Sequence, residues 1–125
     1  MTEPRPAWFI GDAGHLAESE IQRQVVEALE AAGWEVLVTA QDRATRKQSR
    51  GLPDLLCWKH DHTLYVECKK TRGRLSESQC RFAYRITGHE GPHLRYIVIR
   101  HPAMIDEWLT VGQGAWREKN NAKQN

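Results

Sequence analysis

The stretch that decides the fold is GLPDLLCWKHDHTLYVECK, residues 51–69. Two apolar runs in it, Leu55 to Trp58 and Thr63 to Lys70, are typical of strands because they are rich in branched and aromatic side chains. The polar residues Lys59 to His62 between them predict a four-residue turn. The stretch therefore predicts a β-hairpin.

A turn at these four residues places Asp54 directly opposite Glu67. Because side chains alternate along a strand, Asp54, Glu67 and Lys69 then project to one face of the sheet. The other face is apolar and carries Leu55, Cys57, Leu64, Val66 and Cys68. A turn longer or shorter by one residue would undo this pairing.

Two carboxylates on directly opposite residues, with Cα atoms roughly 4.5 to 5.5 Å apart, repel each other unless a cation lies between them. Mg²⁺ suits this position because it takes one or two carboxylates and leaves sites for phosphate oxygens, and Mn²⁺ is expected to substitute. Lys69 can hold or polarise the attacking water. The face predicts a site of phosphodiester hydrolysis. The alternative is a solvated carboxylate pair with a surface salt bridge that contributes little.

The residues before the hairpin predict a helix and a strand. From His15 onward, apolar residues recur at helical spacing through Ile21 and Val25, and Gly33 stands at the position of a C-terminal cap. Glu18 precedes Ile21 by three residues and therefore lies on the stripe that faces the core. Trp34 to Thr39 is predicted to form the first strand.

The residues after the hairpin predict a helix, a strand and a last helix. Ser76-Glu77-Ser78-Gln79 fits a capping box that opens a helix ending near Gly88. Leu94 to Arg100 follows as a fourth strand, and Pro102 begins the last helix. The order of helix, three strands, helix, strand and helix predicts an α/β sandwich on a small mixed sheet.

Composition indicates one globular domain. The chain has 125 residues, of which 40% are hydrophobic and 27% charged. It contains no run long enough to cross a membrane and no signal peptide, so the cytosol is the expected compartment. Its three cysteines, Cys57, Cys68 and Cys80, have no CxxC spacing, which favours buried thiols over a disulfide framework or a zinc site.

Basic residues are concentrated on both sides of the carboxylates. They are Arg43, Arg46, Lys47 and Arg50 before Asp54, and Lys69, Lys70, Arg72 and Arg74 after Glu67. The two groups meet at the same end of the hairpin and predict a rim that binds a phosphate backbone. Solubility alone would explain either group separately. No pattern for reading bases is present, so recognition of shape or backbone is expected.

Histidine is not expected to carry the chemistry. His60 and His62 lie in the predicted turn, away from the carboxylates. The others, His15, His89, His93 and His101, show no spacing typical of metal ligands.

The motifs Gly51-Leu52-Pro53-Asp54 and Glu67-Cys68-Lys69 together resemble the PD-(D/E)xK nuclease signature. With the glutamate on the first helix and Leu75-Ser76-Glu77-Ser78-Gln79, the chain resembles a VRR-NUC domain from about Glu18 to Arg100. That resemblance implies a restriction-endonuclease-like αβββαβ core.

The resemblance also implies roles for individual residues. Asp54, Glu67 and the backbone carbonyl of Cys68 would bind the metal, and Lys69 would position the attacking water. Glu18 would complete the site, with Glu20 as the alternative. Gln79 would lie at the edge of the active site, a role compatible with capping its helix.

The function implied is a Mg²⁺- or Mn²⁺-dependent DNA endonuclease that cuts branched DNA, such as four-way junctions or flaps, as a homodimer. The nuclease domain would span residues 15–111, between an irregular lead-in at 1–14 and a polar tail at 112–125. No membrane and no nucleotide cofactor are expected as partners. The alternatives are a restriction-type or nicking nuclease with sequence specificity and a DNA-binding module without catalysis.

Overall fold

The computed structural model describes residues 16–39 and 51–112. Their elements are α1 (Glu18–Ala31), β1 (Glu35–Val38), β2 (Leu55–Lys59), β3 (His62–Cys68), α2 (Glu77–Thr87), β4 (Leu94–Ile99) and α3 (Pro102–Glu107), which continues as a π-helical turn, Trp108–Gly112. The predicted lead-in, the basic segment 41–50 and the tail beyond residue 112 lie outside these ranges. None of the described helices is long and apolar enough to cross a membrane.

The four strands form one mixed sheet in the order β1-β2-β3-β4. Strand β2 is antiparallel to both β1 and β3, whereas β4 runs parallel to β3. Helix α2 makes the crossover that a parallel pair requires. The α/β class and the mixed sheet predicted from the sequence are confirmed.

The hairpin has the predicted register but a shorter turn. Leu55 pairs with Val66 and Leu56 with Tyr65, as expected. The predicted four-residue turn is wrong, because the ladder extends to a pair between Lys59 and His62 and leaves only His60 and Asp61 as the turn. The register survives because the ladder gained one residue on each strand.

The core lies between one face of the sheet and helices α1 and α3. Ile21, Val25 and Leu29 recur every fourth residue on α1, so they share one side of the helix, and all three are fully buried. They meet the apolar face of the hairpin, whose side chains are buried as predicted: Leu55, Cys57, Leu64, Val66 and Cys68.

Helix α2 covers the opposite face of β3 and β4. Its Phe82 ring packs edge-on against Tyr65, with ring centroids 5.7 Å apart, and lies 6.2 Å from the ring of Tyr96. The predicted capping box is present, since Ser76 Oγ accepts from the backbone of Gln79 and the Gln79 side chain accepts from the backbone of Ser76. Because Gln79 and Phe82 are three residues apart, packing of Phe82 turns Gln79 toward the sheet as well.

Helix α1 ends where the sequence predicts and is tied to the hairpin. Gly33 has a φ of +91°, the left-handed conformation that glycine adopts without steric cost after a helix. Beside it, Lys59 Nζ donates to the carbonyl oxygen of Ala32 at 2.7 Å. This contact satisfies a helix-terminal carbonyl and fixes α1 against β2.

The thiols are not all buried. Cys57 and Cys68 lie in the core, and burial raises the pKa of Cys57 to about 12 and that of Cys68 further. Cys80 is exposed, so the prediction of three buried thiols is wrong for this residue. Phe82, rather than its near neighbour Cys80, is the α2 side chain that meets the aromatic face of the sheet.

Replacing His60 by glycine should raise the free energy of unfolding by about 0.5–1 kcal/mol. His60 has a φ of +56°, which is costly for a residue with a Cβ atom and costs glycine little. Urea denaturation of the two proteins measures the difference. His89→Gly is the control, because His89 is exposed and does not have a positive φ, so the same change there should give no gain.

Candidate active site

Asp54, Glu67 and Lys69 lie together at the end of the hairpin that is remote from its turn. Asp54 immediately precedes β2, and its Oδ2 accepts a hydrogen bond from the backbone of Cys68 at 2.8 Å. Lys69 follows β3, and its backbone donates to the carbonyl of Ile99 at 3.0 Å, which continues the pairing with β4. Asp54 is thus held against the end of β3 that carries the other two residues.

Glu67 is the buried charged residue of the described part of the chain. Its side chain is 1% exposed. Oε1 accepts from Gln79 Nε2 at 2.9 Å, whereas Oε2 is buried and has no hydrogen-bond partner among the described residues. A buried carboxylate oxygen without a donor is costly, so a cation or a proton is needed there.

The pKa of Glu67 is raised to about 9. Burial is the main cause, and the close approach and negative charge of the Asp54 carboxylate add to it. The positive charge of Lys69 acts in the opposite direction, and Glu18 contributes weakly to the rise. Burial and the neighbouring negative charge therefore both favour the protonated form of Glu67 when no cation is bound.

Gln79 performs both tasks weighed for it in the sequence. Its Oε1 accepts from the backbone of Ser76 at 2.7 Å, and its Nε2 donates to Glu67 at 2.9 Å. One amide therefore closes the start of α2 and fixes one oxygen of Glu67, leaving Oε2 without a partner among the described residues.

The two candidate glutamates on α1 differ in their surroundings. Glu20 is held on the outer side of α1 by Arg23, at 2.6 Å, and by Gln24, at 2.8 Å, and these hydrogen bonds lower its pKa to about 2. Glu18 is half-buried, and its charge reaches both Glu67 and Cys68. That Glu18 rather than Glu20 completes the site stays a prediction, which the effect of the Glu18 charge on Glu67 supports.

Two residues near the carboxylates were missed in the sequence. Thr39, at the end of β1, donates from its hydroxyl to the carbonyl of Pro53 at 2.6 Å and from its backbone to the carbonyl of Asp54 at 2.9 Å. Tyr96, on β4, has a buried hydroxyl without a hydrogen-bond partner among residues 16–39 and 51–112, and burial together with the charges of Glu67 and Asp54 raises its pKa. Thr39 positions the Asp54 segment, and Tyr96 borders the site.

The basic segment after Glu67 is held by an arginine that the sequence did not single out. Arg100 donates from Nη1 to the carbonyl of Lys70 at 3.1 Å and also to the carbonyl of Gly73. These contacts shape the loop that carries Lys70, Arg72 and Arg74. The other predicted basic residues, Arg43, Arg46, Lys47 and Arg50, lie outside the described residues.

The residues of the site fit a hard divalent cation. Oε2 of Glu67 has no donor in the described part of the chain and a second carboxylate, Asp54, acts on the same group, an arrangement of oxygen ligands that Mg²⁺ or Mn²⁺ prefers. Cys68 binds Asp54 through its backbone N–H and buries its side chain in the core, and the role of its carbonyl oxygen as a metal ligand stays a prediction.

The sequence of this chain matches the model of a known protein family. The model of the VRR-NUC domain matches residues 4–99. The chain belongs to the VRR-NUC family. As a VRR-NUC protein it is a nuclease-type domain, for which DNA is the implied substrate and a divalent metal the suggested cofactor.

A solved structure described as a VRR_NUC domain shares the fold of this VRR-NUC chain. The TM-score is 0.58 at 21% sequence identity, over 75% of this chain and 95% of that one. No curated protein is similar enough in sequence to be matched to it.

Proposed function

We propose that this VRR-NUC protein is a Mg²⁺- or Mn²⁺-dependent endonuclease that hydrolyses phosphodiester bonds in branched DNA, such as four-way junctions or flaps. The observation that carries the proposal is the buried Glu67 carboxylate beside Asp54, whose one oxygen is fixed by Gln79 and whose other has no donor among the described residues. A structural carboxylate would be fully satisfied or solvated.

In this proposal Asp54 and Glu67 hold the cation, with the Cys68 carbonyl and Glu18 as further oxygen ligands. When bound, the cation supplies Lewis-acid stabilisation of the charge that develops on the phosphate. Gln79 keeps Glu67 in one orientation before the substrate arrives, which lowers the cost of assembling the site.

Lys69 is the residue proposed to act on the attacking water. Its positive charge acts on the Glu67 carboxyl and lowers the pKa of that group, which supports a position for the ammonium on the side of the site where it would hold a water beside the scissile phosphate. Lysine suits this task because its three donors rotate about a compact charge.

The DNA backbone is proposed to bind the rim formed by Lys70, Arg72 and Arg74, together with the basic residues of segment 43–50. Contacts to phosphates carry no sequence information, which favours recognition of DNA shape over a base sequence. A homodimer would place two active sites related by two-fold symmetry on two strands of a junction.

The decisive experiment is a cleavage panel of four-way junctions, flaps, splayed arms and plain duplex, with Mg²⁺, with Mn²⁺ and with a chelator. Light scattering on the same sample gives the oligomeric state. We expect metal-dependent cutting of branched DNA and little cutting of duplex. Cutting of duplex at fixed sequences would instead identify a sequence-specific enzyme. Binding without cutting under every condition would identify a non-catalytic module.

Lys69→Ala should lower the rate of single-turnover cleavage by about 10²-fold while DNA binding persists, because it removes the group that orients the water. Lys70→Ala is the matched comparison on the adjacent residue. It should weaken binding and reduce its salt dependence by about one phosphate contact, so that saturating protein restores cleavage. If the two variants lose affinity equally and rate not at all, Lys69 is only a phosphate contact.

A further inference from the structure

Three potential metal ligands meet at the turn end of the hairpin. Asp61 Oδ2 lies 3.1 Å from His93 Nδ1, and Asp61 Oδ1 lies 3.8 Å from His62 Nε2. One ligand atom from each residue falls within 4.8 Å of the other two. His62 and Glu67 are five residue steps apart along β3, roughly 16 Å of strand, so this cluster is distinct from the carboxylate site.

The sheet, rather than flexible loops, brings the two histidines together. Thr63 pairs with Leu94 at the start of the parallel ladder, and the backbone of Thr63 donates to the carbonyl of His93 at 2.7 Å. His62 and His93 immediately precede these paired residues and therefore stand side by side. Their rings are stacked, with centroids 6.1 Å apart and planes at 28°.

The turn supplies the third group. With only His60 and Asp61 between the strands, the Asp61 carboxylate is held close to both His62 and His93. The side chains of Asp61 and His93 are 69% and 64% exposed, whereas that of His62 is 16% exposed. One histidine is thus anchored against the protein and the other two ligands open to solvent, which gives an ion a path of entry.

The donor set differs in chemistry from the carboxylate site. Imidazole nitrogen suits Zn²⁺, Cu²⁺ and Ni²⁺, whereas Mg²⁺ prefers oxygen alone. Tetrahedral Zn²⁺ with ligands at about 2.0–2.1 Å places neighbouring ligand atoms roughly 3.3 Å apart. The separation of 3.1 Å between Asp61 Oδ2 and His93 Nδ1 and that of 3.8 Å between Asp61 Oδ1 and His62 Nε2 lie on either side of that spacing. Three protein ligands would leave a fourth position for water.

We propose that Asp61, His62 and His93 form a second metal site, selective for Zn²⁺ or a similar transition-metal ion. Bound there, the ion would cross-link the β2–β3 turn to the start of β4, at the end of the sheet remote from the carboxylates. The site does not depend on the assignment of nuclease activity, because none of its ligands belongs to the carboxylate pair.

Calorimetric titration with Zn²⁺ tests the proposal on the full chain. Excess Mg²⁺ and the Asp54→Asn substitution keep Zn²⁺ from the carboxylates of the nuclease site. We expect one Zn²⁺ per chain and a melting temperature that rises with Zn²⁺ concentration. With Co²⁺ in place of Zn²⁺, the visible absorption of tetrahedral cobalt should appear.

Two variants and a control locate the ion. His93→Ala and Asp61→Asn should each weaken Zn²⁺ binding by at least about 10-fold and remove the thermal shift. Both side chains are exposed, so the metal-free melting temperatures should stay close to that of the parent. His89→Ala, at an exposed histidine outside the cluster, should bind Zn²⁺ like the parent. Absence of saturable binding, or binding that neither variant weakens, overturns the proposal.

Discussion

Replacing Glu67 by glutamine should abolish metal-dependent cleavage and, at the same time, stabilise the metal-free protein at alkaline pH. The loss of activity, at least about 10³-fold, follows from removing one of two carboxylates proposed to hold the cation. The gain in stability follows from removing a buried group that resists ionisation, since Glu67 is 1% exposed and its pKa is raised to about 9. Glutamine keeps the acceptor for Gln79 and can donate toward Asp54.

The pH dependence has a definite sign. The folded protein holds the Glu67 proton up to about pH 9, whereas the unfolded chain releases it near its ordinary value of 4.5. Between these values the folded state binds more protons, so the free energy of unfolding falls as pH rises. The contribution of protonated Glu67 to stability is complete below pH 4.5, the pKa of the unfolded chain. It is lost as pH rises through the folded-state pKa of about 9. The fall should approach about 1.4 kcal/mol per pH unit where only Glu67 titrates.

Urea denaturation of the metal-free proteins from pH 5 to pH 9 measures this effect. The wild type should lose on the order of 2 kcal/mol more than Glu67→Gln between pH 6 and pH 8. Glu30→Gln, at an exposed position of α1, serves as the control and should follow the wild type. Equal pH slopes for wild type and Glu67→Gln would show that Glu67 is ionised in the metal-free protein.

The face that carries Asp54, Glu67 and Lys69 was predictable because the pattern of the hairpin determines its register. Alternating apolar residues fixed which side chains enter the core, and that choice placed Glu67 on the opposite face from Cys68. An error of two residues in the length of the turn did no harm, because it extended both strands equally.

The supporting residues were not predictable from local patterns. Thr39 and Arg100 act through backbone carbonyls of segments distant in sequence, and such contacts leave no mark on residue spacing. Tyr96 sits in a strand whose pattern indicates only burial. Each of these contacts depends on which strands become neighbours, and strand order is a property of the assembled sheet.

The cluster of Asp61, His62 and His93 was also not predictable from local sequence patterns. His62 and His93 lie far apart in the sequence, so no motif of closely spaced ligands contains both of them. They meet because β3 and β4 are parallel neighbours that begin at the same level. A metal site built on the ends of two parallel strands has no local sequence pattern.

Replacing Gly51 by alanine should destabilise the protein by about 2 kcal/mol or more and impair cleavage as well. Gly51 has a φ of +85°, which an L-residue adopts only at a cost. A Cβ atom there would also stand 2.8 Å from the carbonyl carbon of Ser78, and closer still to its oxygen. This obstacle is backbone and cannot rotate away.

The clash between a Cβ atom at position 51 and the Ser78 backbone would also affect the site that contains Asp54 and Glu67. Ser78 precedes Gln79 in the first turn of α2, so relief of the clash must move either α2 away from Glu67 or the Pro53-Asp54 segment away from Cys68. Either movement loosens a carboxylate, and small displacements of positioning groups cost about 10²-fold in rate. The glycine of the Gly51-Leu52-Pro53-Asp54 motif is thus explained by close packing of two backbones.

Gly88→Ala is the matched control for this substitution. Gly88 has a φ of −69°, and a Cβ atom there would meet its nearest neighbour, the Arg85 carbonyl oxygen, at 3.8 Å, an ordinary contact. Alanine should therefore leave stability unchanged or raise it by about 0.4–1 kcal/mol through the unfolded state. Thermal melts and single-turnover cleavage of both variants give the comparison. If Gly51→Ala melts and cleaves like Gly88→Ala, then contact between Gly51 and α2 does not position the carboxylates.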